Sequence, residues 1–190
     1  MTALAARFPA RMTPEQYLAW EQDQEDRYEL VEGRPQMMAG GTRAHHRIAE
    51  NISFALRTRL RGGPCFAMRE QKVRIPHGNY RYPDVVVDCG RTQRPDDLAA
   101  AEPRVVFEVE SPSNSDLDAI RRFEDYQATP AIAAIVFVAQ SRAFARIYLR
   151  EGERWVSREV SGLEAALPLA PLGCALPLAE VYEGLEEALG

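Results

Sequence analysis

The sequence predicts an α/β fold in which helices flank a mixed central β-sheet, and three patterns carry that expectation. Ile48, Ile52, Leu56 and Leu60 recur every four residues, the stripe of an amphipathic helix facing a core. Gln71, Val73 and Ile75 alternate with Lys72, Arg74 and Pro76, the period of a strand. Residues 134–139 are a short, β-branched apolar run, as expected of a strand buried on both faces. With 190 residues, 46% hydrophobic and 27% charged, the chain is long enough to bury a core and short enough to form one domain over 1–190.

In chain order, Thr13 caps a helix over 13–24, with Pro14 at its first position and Gln16 completing a capping box. Residues 28–31 and 35–38 read as strands joined by the tight turn Glu32-Gly33-Arg34. Gly40-Gly41 breaks the chain, Thr42 caps the striped helix, and Gly62-Gly63-Pro64 stops it. The period then changes to two, with a turn at His77-Gly78-Asn79 and an apolar strand over 83–88. A polar loop over 89–103 leads into a strand over 104–110. Ser111-Pro112-Ser113-Asn114-Ser115 ends that strand and can cap a helix carrying Leu117, Ile120 and Phe123 on one face. A hairpin turns at Glu151-Gly152-Glu153, the proline-rich stretch over 167–178 excludes a long helix, and a short acidic helix closes the chain.

Composition narrows the function classes. The longest apolar run, 131–139, has nine residues against the roughly 20 that span a bilayer, and the first residues lack a basic-then-apolar signal pattern. No membrane partner and a cytoplasmic location are expected. Cys65, Cys89 and Cys174 are odd in number, widely spaced and in no CxxC pair, so they read as small buried hydrophobes rather than a disulfide framework or zinc site. The net charge of −5 argues against a nucleic-acid partner until it is resolved along the chain. Residues 42–74 hold eight basic and two acidic side chains, a segment of +6 in a remainder of −11. Arginine is used nearly throughout, Lys72 being the only lysine, so the clustering of charge is the signal and arginine usage is not.

The residues that point to chemistry are carboxylates on apolar strands. Period-two geometry puts Glu108 and Glu110 on one face of their strand, with Val105, Phe107 and Val109 on the other. Asp84 opens the preceding apolar strand, and Asp88 shares its face. Such carboxylates are costly to desolvate unless protonated, paired with a cation or bound to a metal, and an oxygen-only set suits Mg²⁺ or Mn²⁺. Asp88 and Glu110, taken alone, read as strand ends in solvent facing arginines. Asp84 and Glu108 together do not.

Tyr28-Glu29-Leu30-Val31-Glu32-Gly33, a histidine starting the next helix, Tyr82-Pro83-Asp84-Val85-Val86-Val87, then Val106-Phe107-Glu108-Val109-Glu110-Ser111-Pro112-Ser113 with Asp116-Leu117 and Tyr126, together resemble the Uma2 family. These are restriction-endonuclease-like proteins of the PD-(D/E)XK nuclease superfamily. The resemblance implies that fold and a metal-dependent phosphodiesterase site, with Asp84 and Glu108 as metal ligands, Glu29 as an additional acid and Mg²⁺ or Mn²⁺ as cofactor. His45 is the matching histidine; it either faces the site or is a hydrogen-bonded core residue. The superfamily's lysine, two residues after the acid, is replaced by Glu110. The lysine that such proteins carry instead, four residues before the tyrosine, is Arg122. Arginine keeps the charge but cannot act as a base, and it could equally form an exposed pair with Asp118.

The resulting expectation is an endonuclease acting on DNA through Asp84, Glu108 and Glu29, with Glu110, Arg122 and His45 in support. Arg43, Arg47, Arg57 and Arg59 are the candidate phosphate-contacting surface, and a two-stranded substrate suggests a homodimer. The alternatives are a catalytically degenerate binding or assembly module, and hydrolysis of a small phosphate ester. His46 and His77 are expected in solvent, and Trp20, Trp155 and the tyrosines in core packing.

Overall fold

In the computed structural model the described residues are 11–38, 40–90, 94, 96–110 and 116–189. The first helix, α1 (Pro14–Glu21), starts as its sequence dictates: the Thr13 side chain accepts from the Gln16 amide, and the Gln16 side chain accepts in return from the Thr13 amide. Strands β1 (Tyr28–Val31) and β2 (Arg34–Met37) form an antiparallel hairpin in which Val31 faces Arg34. Its two-residue loop has positive φ at both positions, 50° at Glu32 and 75° at Gly33, the turn whose twist matches paired strands. Strands β4 (Val73–Ile75) and β5 (Asn79–Arg81) extend this hairpin into a four-stranded sheet, β2-β1-β5-β4.

Helix α2 (Arg43–Arg59) is capped by Thr42, whose side chain accepts from the His45 amide. After it come β3 (Phe66–Arg69) and β6 (Val85–Asp88), then β7 (Pro103–Glu110), α3 (Asp116–Gln127), β8 (Ala134–Ala139) and the hairpin β9 (Phe144–Glu151) and β10 (Arg154–Ser161). These strands form a six-stranded mixed sheet, β10-β9-β8-β7-β6-β3. Strands β7 and β8 are parallel, and a parallel pair needs a crossover, which α3 supplies. The crossover lays α3 over the face of β7 that carries Val106 and Glu108, while α2 covers the opposite face through Ile48, Ile52 and Leu56 against Val105, Phe107 and Val136. All six residues of β8 are buried, as its continuous apolar sequence predicts. The proline-rich stretch folds as the hairpin β11 (Ala166–Leu169) and β12 (Cys174–Pro177), and the closing helix is a single turn, α4 (Leu178–Val181).

Three expectations are corrected. Leu117 and Ile120 do not face the core: both are more than half exposed, and α3 instead turns Tyr126 onto the sheet, with Phe123 packed beside Tyr148 and Trp155. Cys65 and Cys89 form a disulfide rather than separate hydrophobes. They flank the β3–β6 pair in which Phe66 faces Asp88, so pairing, invisible in their spacing of 24, brings them together. Asp88 is not at a solvated strand end; it is buried and accepts from the amides of Gly90, Ala101 and Glu102, pinning the loop that leads to β7. The capping expected of residues 111–115 lies outside the described residues.

The lone lysine is buried. Lys72 Nζ donates to Glu21 Oε2 at 2.7 Å, and the Tyr82 hydroxyl donates to Glu21 Oε1 at 2.7 Å, tying α1 to the four-stranded sheet. A buried pair of this kind costs most when one partner is removed. Lys72→Met is expected to destabilise the chain by about 3–5 kcal/mol in chemical denaturation, and adding Glu21→Leu to recover most of the loss. A single variant as stable as the wild type would show that the pair does not hold α1 in place.

Candidate active site

The register of β6 against β7 builds the site. Val85 faces Phe107, so Asp84, the residue just ahead of β6, comes beside the stretch of β7 that carries Glu108 and Val109. Asp84 is oriented from two directions. Its Oδ2 accepts from the Val109 amide at 2.7 Å, and its Oδ1 accepts from His45 Nε2 at 2.8 Å. His45 stands in the first turn of α2, with its ring against Gly41, where any Cβ would come within 2.8 Å of the imidazole. The bond to Asp84 raises the His45 pKa against the opposing effect of burial. The histidine therefore faces the site. Its Nδ1 is buried with no hydrogen-bond partner among the described residues.

Glu108 is held from α3. The Tyr126 hydroxyl donates to its Oε1 at 2.5 Å, and Arg122 Nη1 donates to the same oxygen at 3.1 Å. Arg122 thus joins Glu108 and the β1 residue Glu29, donating from Nη1 to Glu29 Oε1 at 2.8 Å and from Nη2 to Oε2 at 3.2 Å. Burial works against the Arg122 charge, but Glu108 and Glu29 more than offset it and raise its pKa. These bonds tie Glu29, expected as an additional acid at the metal, into the protein's own network. Its carboxylate also accepts from Arg81 Nη1 at 2.9 Å and from the Tyr82 amide at 3.0 Å, so both oxygens are engaged by the protein. Arg81 in turn reaches Asp125 of α3 at 2.6 Å.

Arg81, Asp125 and the hydroxyl of Tyr126 belong to the site though the sequence did not mark them as such. The one signal available was Tyr126, spaced one helical turn after Arg122. Glu110 is half-buried at the end of β7 and shares none of the bonds that join Asp84, Glu108, Arg122 and Glu29. Arg43, Arg47 and Arg57 are exposed on α2. Arg59 is not available to a phosphate as expected: it donates to both oxygens of Glu180, at 2.8 and 2.6 Å, and to the carbonyl of Ala175.

Among the described residues no three His, Cys, Asp or Glu side chains converge as a metal cage. The donor set still fits a hard cation. Mg²⁺ characteristically takes one or two carboxylates and completes its shell with water and substrate phosphate, and Asp84 and Glu108 are such a pair. Glu108 is pushed up to about 7, chiefly by burial, with Arg122 pulling it down and the negative charges of Asp84 and Glu29 adding to the rise. A cation between Asp84 and Glu108 would relieve that repulsion.

The raised pKa has a consequence for stability. Between its ordinary 4.5 and about 7, Glu108 keeps its proton in the folded chain after the unfolded chain has lost it, so stability from this group falls as pH rises through that interval. Without metal, the melting temperature of the wild type is expected to fall more between pH 5 and pH 8 than that of Glu108→Gln, which melts a few degrees higher at pH 8. Parallel melting curves for the two proteins would show that the carboxylate is not strained.

Comparison with known proteins agrees with this architecture. The chain is 28% identical over 184 residues to "Uncharacterized protein slr1290" of Synechocystis sp., covering 95% of this chain and 96% of that protein. It is 25% identical over 162 residues to "Uncharacterized protein sll1609" of the same organism, covering 82% and 91%. Its fold matches the crystal structure of a "putative nuclease belonging to DUF820" from Anabaena variabilis with a TM-score of 0.72 at 14% identity, over 90% of this chain and 97% of that one. The fold is therefore restriction-endonuclease-like. No described helix is long and apolar enough to cross a membrane. Residues 14–179 match Uma2, described as "Putative restriction endonuclease", and the chain belongs to the Uma2 family.

Proposed function

We infer that this protein is a metal-dependent endonuclease that hydrolyses phosphodiester bonds in DNA, using Mg²⁺ or Mn²⁺ held by Asp84 and Glu108. The observation that carries the reading is the approach of Asp84 to β7, where it accepts from the Val109 amide beside a Glu108 that is buried and pushed up to about 7, the Asp84 charge adding to that rise. A divalent cation bound there supplies Lewis-acid polarisation of the phosphate and a water activated for attack.

The protein's own groups do the positioning. The Val109 amide and His45 fix the Asp84 carboxylate, and Tyr126 fixes that of Glu108, so neither must reorganise when substrate arrives. Arg122 holds a permanent positive charge beside Glu108, where it can meet negative charge that grows on the phosphate. Glu29 is the group that keeps it there, and Arg81 with Asp125 keeps Glu29 and α3 in place. Arg122 cannot abstract a proton, so its role in this reading is electrostatic.

One observation favours a second reading. Arg122 bonds an oxygen of Glu108 directly and supplies a cation from within the chain. A binding module without hydrolytic activity would be built in that way.

The two readings separate in a nicking assay on supercoiled plasmid. The hydrolytic reading predicts cleavage with Mg²⁺ or Mn²⁺, none in EDTA, and a loss of at least about a hundredfold in Asp84→Ala and Glu108→Ala. Residual activity equal in wild type and both variants would sink it. Arg122→Lys is expected to retain measurable cleavage and Arg122→Ala to lose most of it; equal rates for all three would remove Arg122 from the mechanism.

A further inference from the structure

We propose that the groove between α2 and β3 is a binding track for single-stranded nucleic acid leading to Asp84, with Phe54 and Phe66 as its stacking platform. The proposal rests on the hydrolytic reading of the site and adds the form of the strand presented to it.

Two large rings that the fold leaves in water line this groove of about 760 Å³: Phe54 on α2 is 73% exposed and Phe66 on β3 is 52% exposed. Arg57, Arg61 and Arg69 line it with them, against the single acid Glu50. Arg69 is bonded to Glu50 at 2.9 Å, whereas Arg57 and Arg61 extend into solvent. Exposed aromatic faces beside a cationic lining are the means by which proteins hold unpaired bases and a phosphate backbone without reading sequence.

The β3 wall of the groove reaches the neighbour of the site. On one side Glu50, Phe54 and Arg57 of α2 line the groove. On the other, Arg69 pairs with Val85, the neighbour of Asp84, and Phe66 lies three residues back along the strand, about 10 Å away. The two rings thus stand one on α2 and one on β3, with Arg69 between Phe66 and the site. A strand stacked on them runs towards the carboxylates with its phosphates beside arginine. Paired bases keep their faces within the duplex stack and have none to offer these rings.

A second copy of the chain fits the same surface less well. Strand β3 lies at the edge of the six-stranded sheet, but a two-fold contact through this groove would set Arg57 and Arg61 near their own equivalents.

Fluorescence anisotropy in EDTA tests the track apart from cleavage, using labelled dT12, rU12 and a 12-base-pair duplex. The wild type is expected to bind at least one single strand more tightly than the duplex, and the tighter of the two identifies the preferred sugar. Phe54→Ala with Phe66→Ala is expected to weaken that binding about tenfold or more. Arg57→Gln with Arg61→Gln is expected to reduce the salt slope by about 1.4. Both rings are exposed, so the double variant should melt as the wild type does; should it melt early, Phe54→Ala alone carries the test. Binding unchanged by loss of the rings, or a duplex bound as tightly as the single strands, overturns the proposal. So does a fall from two copies to one in sedimentation of the ring variant, which would make the surface a subunit contact. Asp84-dependent nicking with binding indifferent to the rings would overturn the track alone. Ring-dependent binding without Asp84-dependent nicking would support the track and remove the hydrolytic reading beneath it.

Discussion

The structure turns on one buried carboxylate, Glu29. From β1 it accepts bonds from Arg81 on β5 and Arg122 on α3, and through Arg122 it is joined to Glu108 on β7. One residue thus links the four-stranded sheet, the crossover helix and the central strand of the six-stranded sheet. A charge buried this deeply is tolerable only with partners on every side, and the partners are what place a guanidinium beside Glu108. Without that constraint α3 would be an amphipathic helix with its aliphatic face turned inward. With it, Leu117 and Ile120 stay in water while Arg122 and Tyr126 face the sheet.

The second consequence is electrostatic. The Asp84 charge pushes Glu108 up, and burial leaves Glu108 poorly disposed to ionise. Such an arrangement would be costly for stability alone, since an apolar pair at these positions would pack without the desolvation penalty. The strain is understandable if a divalent cation and a phosphate complete the site, because the cation supplies what the protein withholds. Arg122 then neutralises part of the cluster.

Much of this was legible in the sequence because it is local. Capping at Thr13 and Thr42, the two-residue turn at Glu32-Gly33 and the stripe from Ile48 to Leu56 each depend on neighbours a few residues apart, and each forms where the pattern puts it. Asp84 and Glu108 were legible for a related reason, since a carboxylate within an apolar strand conflicts with its surroundings wherever the strand lies. What escaped depends on pairing between distant segments. The Cys65–Cys89 bridge and the loop-pinning role of Asp88 follow from the β3–β6 register and the return of residues 101–102. The Arg59–Glu180 pair spans 121 positions, and the meeting of Phe54 with Phe66 in one groove requires α2 to lie along β3. Arg81 offered no sequence signal of its role at all.

The claim on which the rest depends is that Asp84 and Glu108 together hold a divalent cation. Mn²⁺ binding followed by electron paramagnetic resonance measures this without reference to turnover. One Mn²⁺ site per chain is predicted in the wild type and in Glu110→Gln, and its loss in Asp84→Asn and in Glu108→Gln. Equal Mn²⁺ occupancy in all four proteins, or none in the wild type, would contradict it.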